Sequence, residues 1–227
     1  MHERPATLND VAAKAGVSTA TVSRCLNSPD KVSKITRDRV LHAVNILGYA
    51  PNYAAQAMAA GRTHTIGAVI PTMTNAIFAE GLDAFQKTLG AQGYTLLVAT
   101  SNYDPKQEEA QIRTLVARGA EALLLIGHAR ADHVRRFLHT RNMPVVTAWA
   151  HDPNGKTPAV GFDNAQAMEH VVDHLYALGH RRLAMITAPK AGNDRVQDRV
   201  RGIYRAAQRL GLDAEDIPHE TAPYDMD

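Results

Sequence analysis

A single cysteine, Cys25, stands among 227 residues, so no internal disulfide can staple the chain. No apolar stretch approaches the roughly 20 residues that a membrane-spanning helix needs. The opening Met-His-Glu-Arg-Pro lacks the apolar core of a secretory signal, and the expectation is a cytoplasmic protein. Short-period repeats and low-complexity tracts are absent. Net charge is scant, +2 from 25 Lys+Arg and 23 Asp+Glu, which if spread evenly would attract a polyanion only weakly. The rest is ordinary for a globular protein with a sizeable core: 45% hydrophobic and 21% charged residues in a chain longer than one typical domain.

The charge is unevenly placed. Residues 1–62 hold 8 Lys+Arg against 4 Asp+Glu, a net of +4, whereas the remainder holds 17 against 19. The positive field therefore sits on the amino-terminal quarter. There, Thr7 is a plausible N-cap for a helix with Leu8, Val11, Ala12 and Ala15 on one face, ended by Gly16. Ser18 caps a second helix whose apolar positions are Val22, Cys25 and Leu26, and Asn27-Ser28-Pro29-Asp30 breaks it. A third, capped by Ser33 or Thr36, carries Val40, Ala43, Val44 and Leu47 and ends at Gly48.

Two short helices joined by a tight turn fit a helix-turn-helix, whose second helix lies in the major groove with its leading residues at base edges. On that reading Thr19, Ala20 and Arg24 face bases, with Arg24 able to grip a guanine bidentately. Ser18, Thr21, Ser23 and Asn27 hold phosphates. A plain three-helix bundle with solvated Ser and Thr is the alternative that periodicity alone leaves open. The run Thr7-Leu8-x-Asp10-Val11-Ala12-x-x-Ala15-Gly16-Val17-Ser18-x-x-Thr21-Val22-Ser23-Arg24-x-Leu26-Asn27, with Val32-Ser33, Thr36-Arg37 and Leu47-Gly48-Tyr49-x-Pro51-Asn52, closely resembles the opening of the lac/galactose repressor family of bacterial transcription regulators.

The resemblance implies a DNA-binding head at 1–50 and a linker at 51–62, "PNYAAQAMAAGR", that becomes helical on DNA. Five alanines favour helix there, with Asn52 as N-cap, but the segment is too short to be stable alone in water. By resemblance Ala55 and Gln56 meet the minor groove or a twin helix. Met58 takes the place of the family's usual leucine wedge between base pairs. Thr7, Leu8 and Lys31 complete the expected DNA contacts. A solvated alanine-rich connector is the competing reading of this stretch.

From Thr65 the texture changes to β-α alternation: apolar strands at 64–70, 94–100, 122–126 and 144–149 alternate with amphipathic helices. Gly90, Gly93 and Gly119 punctuate helix ends as left-handed caps. The polar cluster His151 to Pro158 marks a subdomain boundary, giving 63–157 as one lobe and 158–227 as part of a second. The second lobe is expected to hold strands at 159–162 and 183–187 and then to be cut off, since the family extends about a hundred residues further. The fold class expected is α/β: a three-helix head, a hinge helix and a doubly wound parallel body like the periplasmic binding proteins, its second subdomain incomplete and its apolar faces uncovered.

Ligands of open parallel sheets sit beyond the carboxyl ends of the strands. Those ends here are polar with one aromatic, which suits a hydroxylated ligand. The residues expected to line such a site are Thr74, Asn75, Phe78, Trp149, Asp163, Asn193 and Arg199. Arg199, three residues before Gly202, matches a family arginine that contacts the effector. Its planar fork suits a carboxylate or paired hydroxyls, although a surface helix charge is the bland reading. Asp163 could bind hydroxyls or simply cap the following helix. "PTMTNAIFAE" and "AVGFDN" resemble the gluconate-type members, pointing to a sugar or sugar acid. Ala148-Trp149-Ala150 departs from relatives that place an aspartate there.

Enzymatic readings fail on spacing. Gly155-Lys156-Thr157 would need a glycine at Ala150 to complete a phosphate loop. His170 and His174 stand one helical turn apart, but with Asp173 where a zinc hydrolase carries glutamate, and a solvated face explains them. Cys25 lies among core positions, as an inert thiol does. No catalytic residue, metal or cofactor is expected. The expected partners are a near-palindromic double-stranded DNA operator, a small-molecule effector and a second copy of the chain or more, with no membrane. A soluble sugar-binding module, or a regulator that binds DNA without effector response, is the alternative.

Overall fold

The structure, a computed structural model, describes residues 4–52, 57–58, 60–152, 154–155, 157–213 and 216–222. The chain divides into two compact units, Met1–Thr63 and His64–Asp227.

In the first unit, α1 (Leu8–Ala15), α2 (Thr19–Asn27), a short 3-10 turn (Pro29–Lys31) and α3 (Lys34–Leu47) surround one core. Each helix start is satisfied by a side chain. The Thr7 hydroxyl accepts from the Asp10 amide while the Asp10 carboxylate takes the Thr7 amide at 2.8 Å, a complete capping box. Ser18 and Ser33 accept from the amides of Thr21 and Thr36. Such caps contribute about 1 kcal/mol each to helices that propensity alone would not hold. Val11, Val22 and Val40, one per helix, are fully buried together with Ala12, Ala15, Cys25 and Ala43. Burying each valine stabilises the head by roughly 1.5–3 kcal/mol. Arg39 of α3 donates to the carbonyls of Ala15 and Gly16, placing a cation on the carbonyl end of α1. Burial pushes the Cys25 thiol pKa up, consistent with an unreactive core group.

The second unit is built on a five-stranded parallel sheet in the order β2-β1-β3-β4-β5: β1 Thr65–Ile70, β2 Thr95–Thr100, β3 Ala122–Ile126, β4 Val145–Ala148 and β5 Ala159–Val160. Between them run α4 (Ala76–Ala91), α5 (Pro105–Ala117) and α6 (Asp132–Thr140). Alternate residues face opposite layers. Val69, Leu123 and Leu125 pack with Ile112, Leu115, Val134 and Leu138 of α5 and α6, whereas Ala68, Ile70 and Ile126 pack with Phe78 and Leu82 of α4. The second lobe comprises α7 (Asn164–Ala177), β6 (Met185–Thr187), α8 (Asp194–Arg209) and β7 (His219–Thr221), with β6 and β7 paired in parallel. Val172, Met185, Val196, Val200, Ile203 and Ile217 form its core.

Three expectations need correction. The strand at 159–160 does not open the second sheet; it pairs with β4, Thr147 against Ala159, as the fifth strand of the first. The first sheet thus crosses the boundary drawn at 157/158, because the turn after β4 returns the chain to the open edge of that sheet. The second sheet instead recruits β7, whose three residues give too short a period to read. Gly90 lies inside α4, whose C-cap is Gln92, so of these three glycines only Gly93 (φ +78°) and Gly119 (φ +89°) are left-handed.

Uncovered apolar surface runs beside α4, where Ile66, Phe85, Leu89, Val146, Val160 and Phe162 line a groove of about 650 Å³. A second such face lies along β6, among Val171, Leu175, Leu183 and Ile186.

Candidate DNA-reading and ligand sites

The core side of α2 is Val22 and Cys25, which turns Ala20, Arg24 and Asn27, at i, i+4 and i+7, outward to solvent. The Arg24 guanidinium is exposed on this face, whereas Thr19, Thr21 and Ser23 are half-buried at its flanks. Ser18 and Thr21 hydroxyls lie 2.9 Å apart, and the Asn27 amide donates to the Ser23 hydroxyl at 3.3 Å. Lys31 and Lys34 are exposed beyond the carboxyl end of α2. Thr7 is occupied as the cap of α1, and Leu8 packs half-buried against the head core. Met58 is 88% exposed. Asn52 is exposed, and Ala55 and Gln56 lie outside the described residues.

In the body, three of the five described non-glycine residues at positive φ follow the ends of strands. Asn102 and Tyr103 after β2, and Trp149 after β4, are non-glycine residues at φ +50°, +59° and +56°, a conformation that persists only where the surroundings enforce it. Phe78 meets the Trp149 ring edge-on at 5.2 Å. The Trp149 carbonyl accepts from Asn164 Nδ2 at 3.2 Å, and Asn164 Oδ1 accepts from Arg199 Nε at 2.9 Å. Phe78, Trp149 and Arg199 are therefore linked through a buried asparagine that the sequence reading passed over. The Asp163-Asn164 doublet ahead of an amphipathic helix was its only signal. Asp163 itself caps α7, one oxygen taking the amides of Ala165 and Gln166 at 2.9 and 3.0 Å.

Other expected residues stand elsewhere. Thr74 is exposed on the loop after β1, its amide on the Thr72 hydroxyl, and Asn75 caps α4. Asn193 is 1% exposed and its side chain accepts from the Val196 amide as the cap of α8. Phe78 is 6% exposed. Both side chains are buried in this structure.

A small cleft of about 20 Å³, roughly the space of one water, separates the lobes and is lined instead by Pro71, Ser101, Tyr103, Asp104, Glu108 and Arg195, among others. Arg130 and Glu108 pair beside it at 3.0 Å, with side chains 6% and 16% exposed. Burial pushes the Glu108 pKa up, opposed by the Arg130 and Arg195 guanidiniums. The lining is polar, with one arginine, two carboxylates and a tyrosine ring, and Arg130 stands just behind it. Among the described residues no cluster of His, Cys, Asp and Glu could hold a metal, and no helix is long and apolar enough to cross a membrane.

The head is a helix-turn-helix and the body a two-lobed parallel α/β fold with a polar cleft at its strand ends. The chain belongs to the lacI family of bacterial regulatory proteins: residues 7–52 match "Bacterial regulatory proteins, lacI family", and residues 63–224 match "Periplasmic binding proteins and sugar binding domain of LacI family". It is 36% identical over 205 residues to the HTH-type transcriptional regulator GntR of Pseudomonas aeruginosa, covering 90% of this chain and 59% of that protein. To the HTH-type transcriptional repressor CytR of Escherichia coli K12 it is 33% identical, covering 92% and 61%. A crystal structure of a LacI-family transcriptional regulator from Silicibacter pomeroyi superposes with a TM-score of 0.84 at 28% identity, covering 96% of this chain and 66% of that one. The chain thus spans about three-fifths of the length of these two curated relatives.

Proposed function

We propose that this protein is a sequence-specific DNA-binding transcriptional regulator, a repressor of genes for using a carbohydrate or sugar acid, controlled by that small molecule. The observation that carries the reading is the solvent face of α2, Ala20, Arg24 and Asn27, on an amino-terminal quarter, residues 1–62, with net charge +4. A bidentate Arg24–guanine contact supplies about 1–3 kcal/mol of base discrimination, and exposed Lys31 and Lys34 supply the salt-dependent phosphate attraction. The chain's likeness to the transcriptional regulator GntR and the transcriptional repressor CytR supports the same assignment. We assign the protein to the cytoplasm, acting as a homodimer whose two heads occupy the halves of a near-palindromic operator.

The effector reading rests on the polar cleft, where Arg195 favours a ligand bearing a carboxylate or neighbouring hydroxyls, and on Arg199, which Asn164 orients at the neighbouring apolar face along β6. Its action on DNA is a coupling between the two sites, and so is reciprocal. The test is operator selection from random duplexes, followed by binding across a salt series. Affinity should fall steeply with salt, Arg24→Ala should relax base preference, and Lys31→Ala should lower the salt slope by about 1. Binding that ignores salt, or a footprint indifferent to Arg24→Ala, refutes the assignment and leaves a ligand-binding module.

A further inference from the structure

Besides the Asn164–Trp149 bond, a carboxylate reaches from one lobe to the other. Asp194, the first residue of α8 in the second lobe, sends Oδ2 across to the first lobe, where it accepts from the backbone amides of His128 and Ala129, the latter at 3.1 Å. Its other oxygen, Oδ1, accepts from the amide and the Nη1 of Arg195, both at 2.9 Å. Two successive amides converging on one oxygen make an anion seat, and the turn that forms it is built for the purpose. Gly127 adopts φ +71°, and a Cβ there would collide with Arg195 Nη1 and with both Asp194 oxygens.

The seat is braced from behind. Arg130 donates to the carbonyls of Gly127 at 2.6 Å and Ile126 at 3.1 Å while pairing with Glu108 of α5. The carbonyl side of the turn is thereby held on the first lobe, and the amide side faces the second. Nearby, Gly192 rests on Pro105, its Cβ position 3.1 Å from Pro105 Cγ, so the lobes also touch through apolar atoms. With these contacts made, the cleft holds only about 20 Å³, far below the roughly 300 Å³ at which small-molecule pockets begin. A ligand larger than water enters only when the lobes part, and parting them breaks the Asp194 bonds.

We propose that Asp194 is a closure latch: its carboxylate, seated on the His128 and Ala129 amides, sets how often the cleft is open and so how readily a ligand is admitted. The purpose of opening rests on the effector reading above, but the latch itself is testable without ligand. Because only the open fraction takes ligand, the latch scales apparent affinity in proportion to that fraction.

The experiment is a pair of spin labels on the full chain with Cys25→Ser, placed at Lys87→Cys in the first lobe and Arg205→Cys in the second, both exposed. Double electron–electron resonance then reads the distance between lobes. The parent should give one dominant distance. Asp194→Ala should add a distinct open population, raising the open-to-closed ratio about tenfold or more, since charge-assisted hydrogen bonds are lost. Gly127→Ala, which evicts the carboxylate from the opposite side, should shift the distribution the same way. Asp194→Asn keeps the shape and one acceptor oxygen. It should open less than Asp194→Ala and serves if the alanine variant does not fold. A distance distribution unchanged from the parent in the folded variants overturns the latch, whatever becomes of the effector or DNA assignments.

Discussion

Gly202 lies on α8 against the start of α7, and a Cβ built there meets the Ala165 carbonyl oxygen, its carbon at 2.8 Å and Ala165 Cα at 2.9 Å. The obstacle is helix backbone, which cannot rotate away. Restoring ordinary van der Waals contact requires the helices to part by about 1 Å or more, because the carbonyl oxygen is the nearest of these atoms. Arg199 stands three residues before Gly202, and Asn164 directly precedes Ala165, so the same displacement stretches the 2.9 Å Arg199–Asn164 bond towards failure. Overpacking costs about 1–3 kcal/mol, and weakening a charge-assisted bond adds about 1 kcal/mol. Gly202→Ala should therefore destabilise the body by about 2–4 kcal/mol. The single tryptophan, Trp149, sits in this unit and is bonded to Asn164, so its fluorescence reports the loss in a urea titration. With a slope near 2 kcal/mol per molar, the midpoint should fall by about 1–2 M. A displacement corresponding to less than about 0.5 kcal/mol would refute the claim that this glycine sets the α7–α8 approach.

Two predictions concern acid and base. The Thr7 hydroxyl and amide, with Arg4, hold the Asp10 carboxyl below the usual aspartate range, so its contribution to head stability is full above the unfolded value and is lost as pH falls through the folded one. Asp10→Asn should lower the head's melting temperature at neutral pH and flatten the acid limb of its stability curve, followed by circular dichroism. Glu108 behaves oppositely: burial raises its pKa, so between the unfolded and folded values the native form binds more protons and stability declines as pH rises. Glu108→Gln should remove that decline from a series of body melting temperatures. A slope that persists would mean another group causes it.

Local chemistry was legible and long-range register was not. Thr7 and Ser18, with Ser33 as one of two candidates, read as caps because each precedes an apolar stripe of period 3.6, and each caps its helix here. Runs such as Ala122 to Ile126 read as strands of a covered parallel sheet because they are apolar throughout. By contrast, nothing in Ala159-Val160 says which sheet will accept it. Two residues carry no period, and the choice is made by the open edge of β4. Asn164 and Asp194 were hidden for a related reason. A polar residue at a helix start looks like a cap, and whether it also reaches a carbonyl 15 positions back or an amide 65 positions back depends on how the elements assemble.

The outer strand β5 offers only Ala159 and Val160 to a would-be neighbour, too few backbone groups to template another strand. Yet Val160 and Phe162 stand 69% and 52% exposed beside the groove along α4. Adhesion at this border is accordingly greasy rather than ladder-like. It draws on shedding water from side chains, strengthens with warming and kosmotropic salts, and is dispersed by mild detergent.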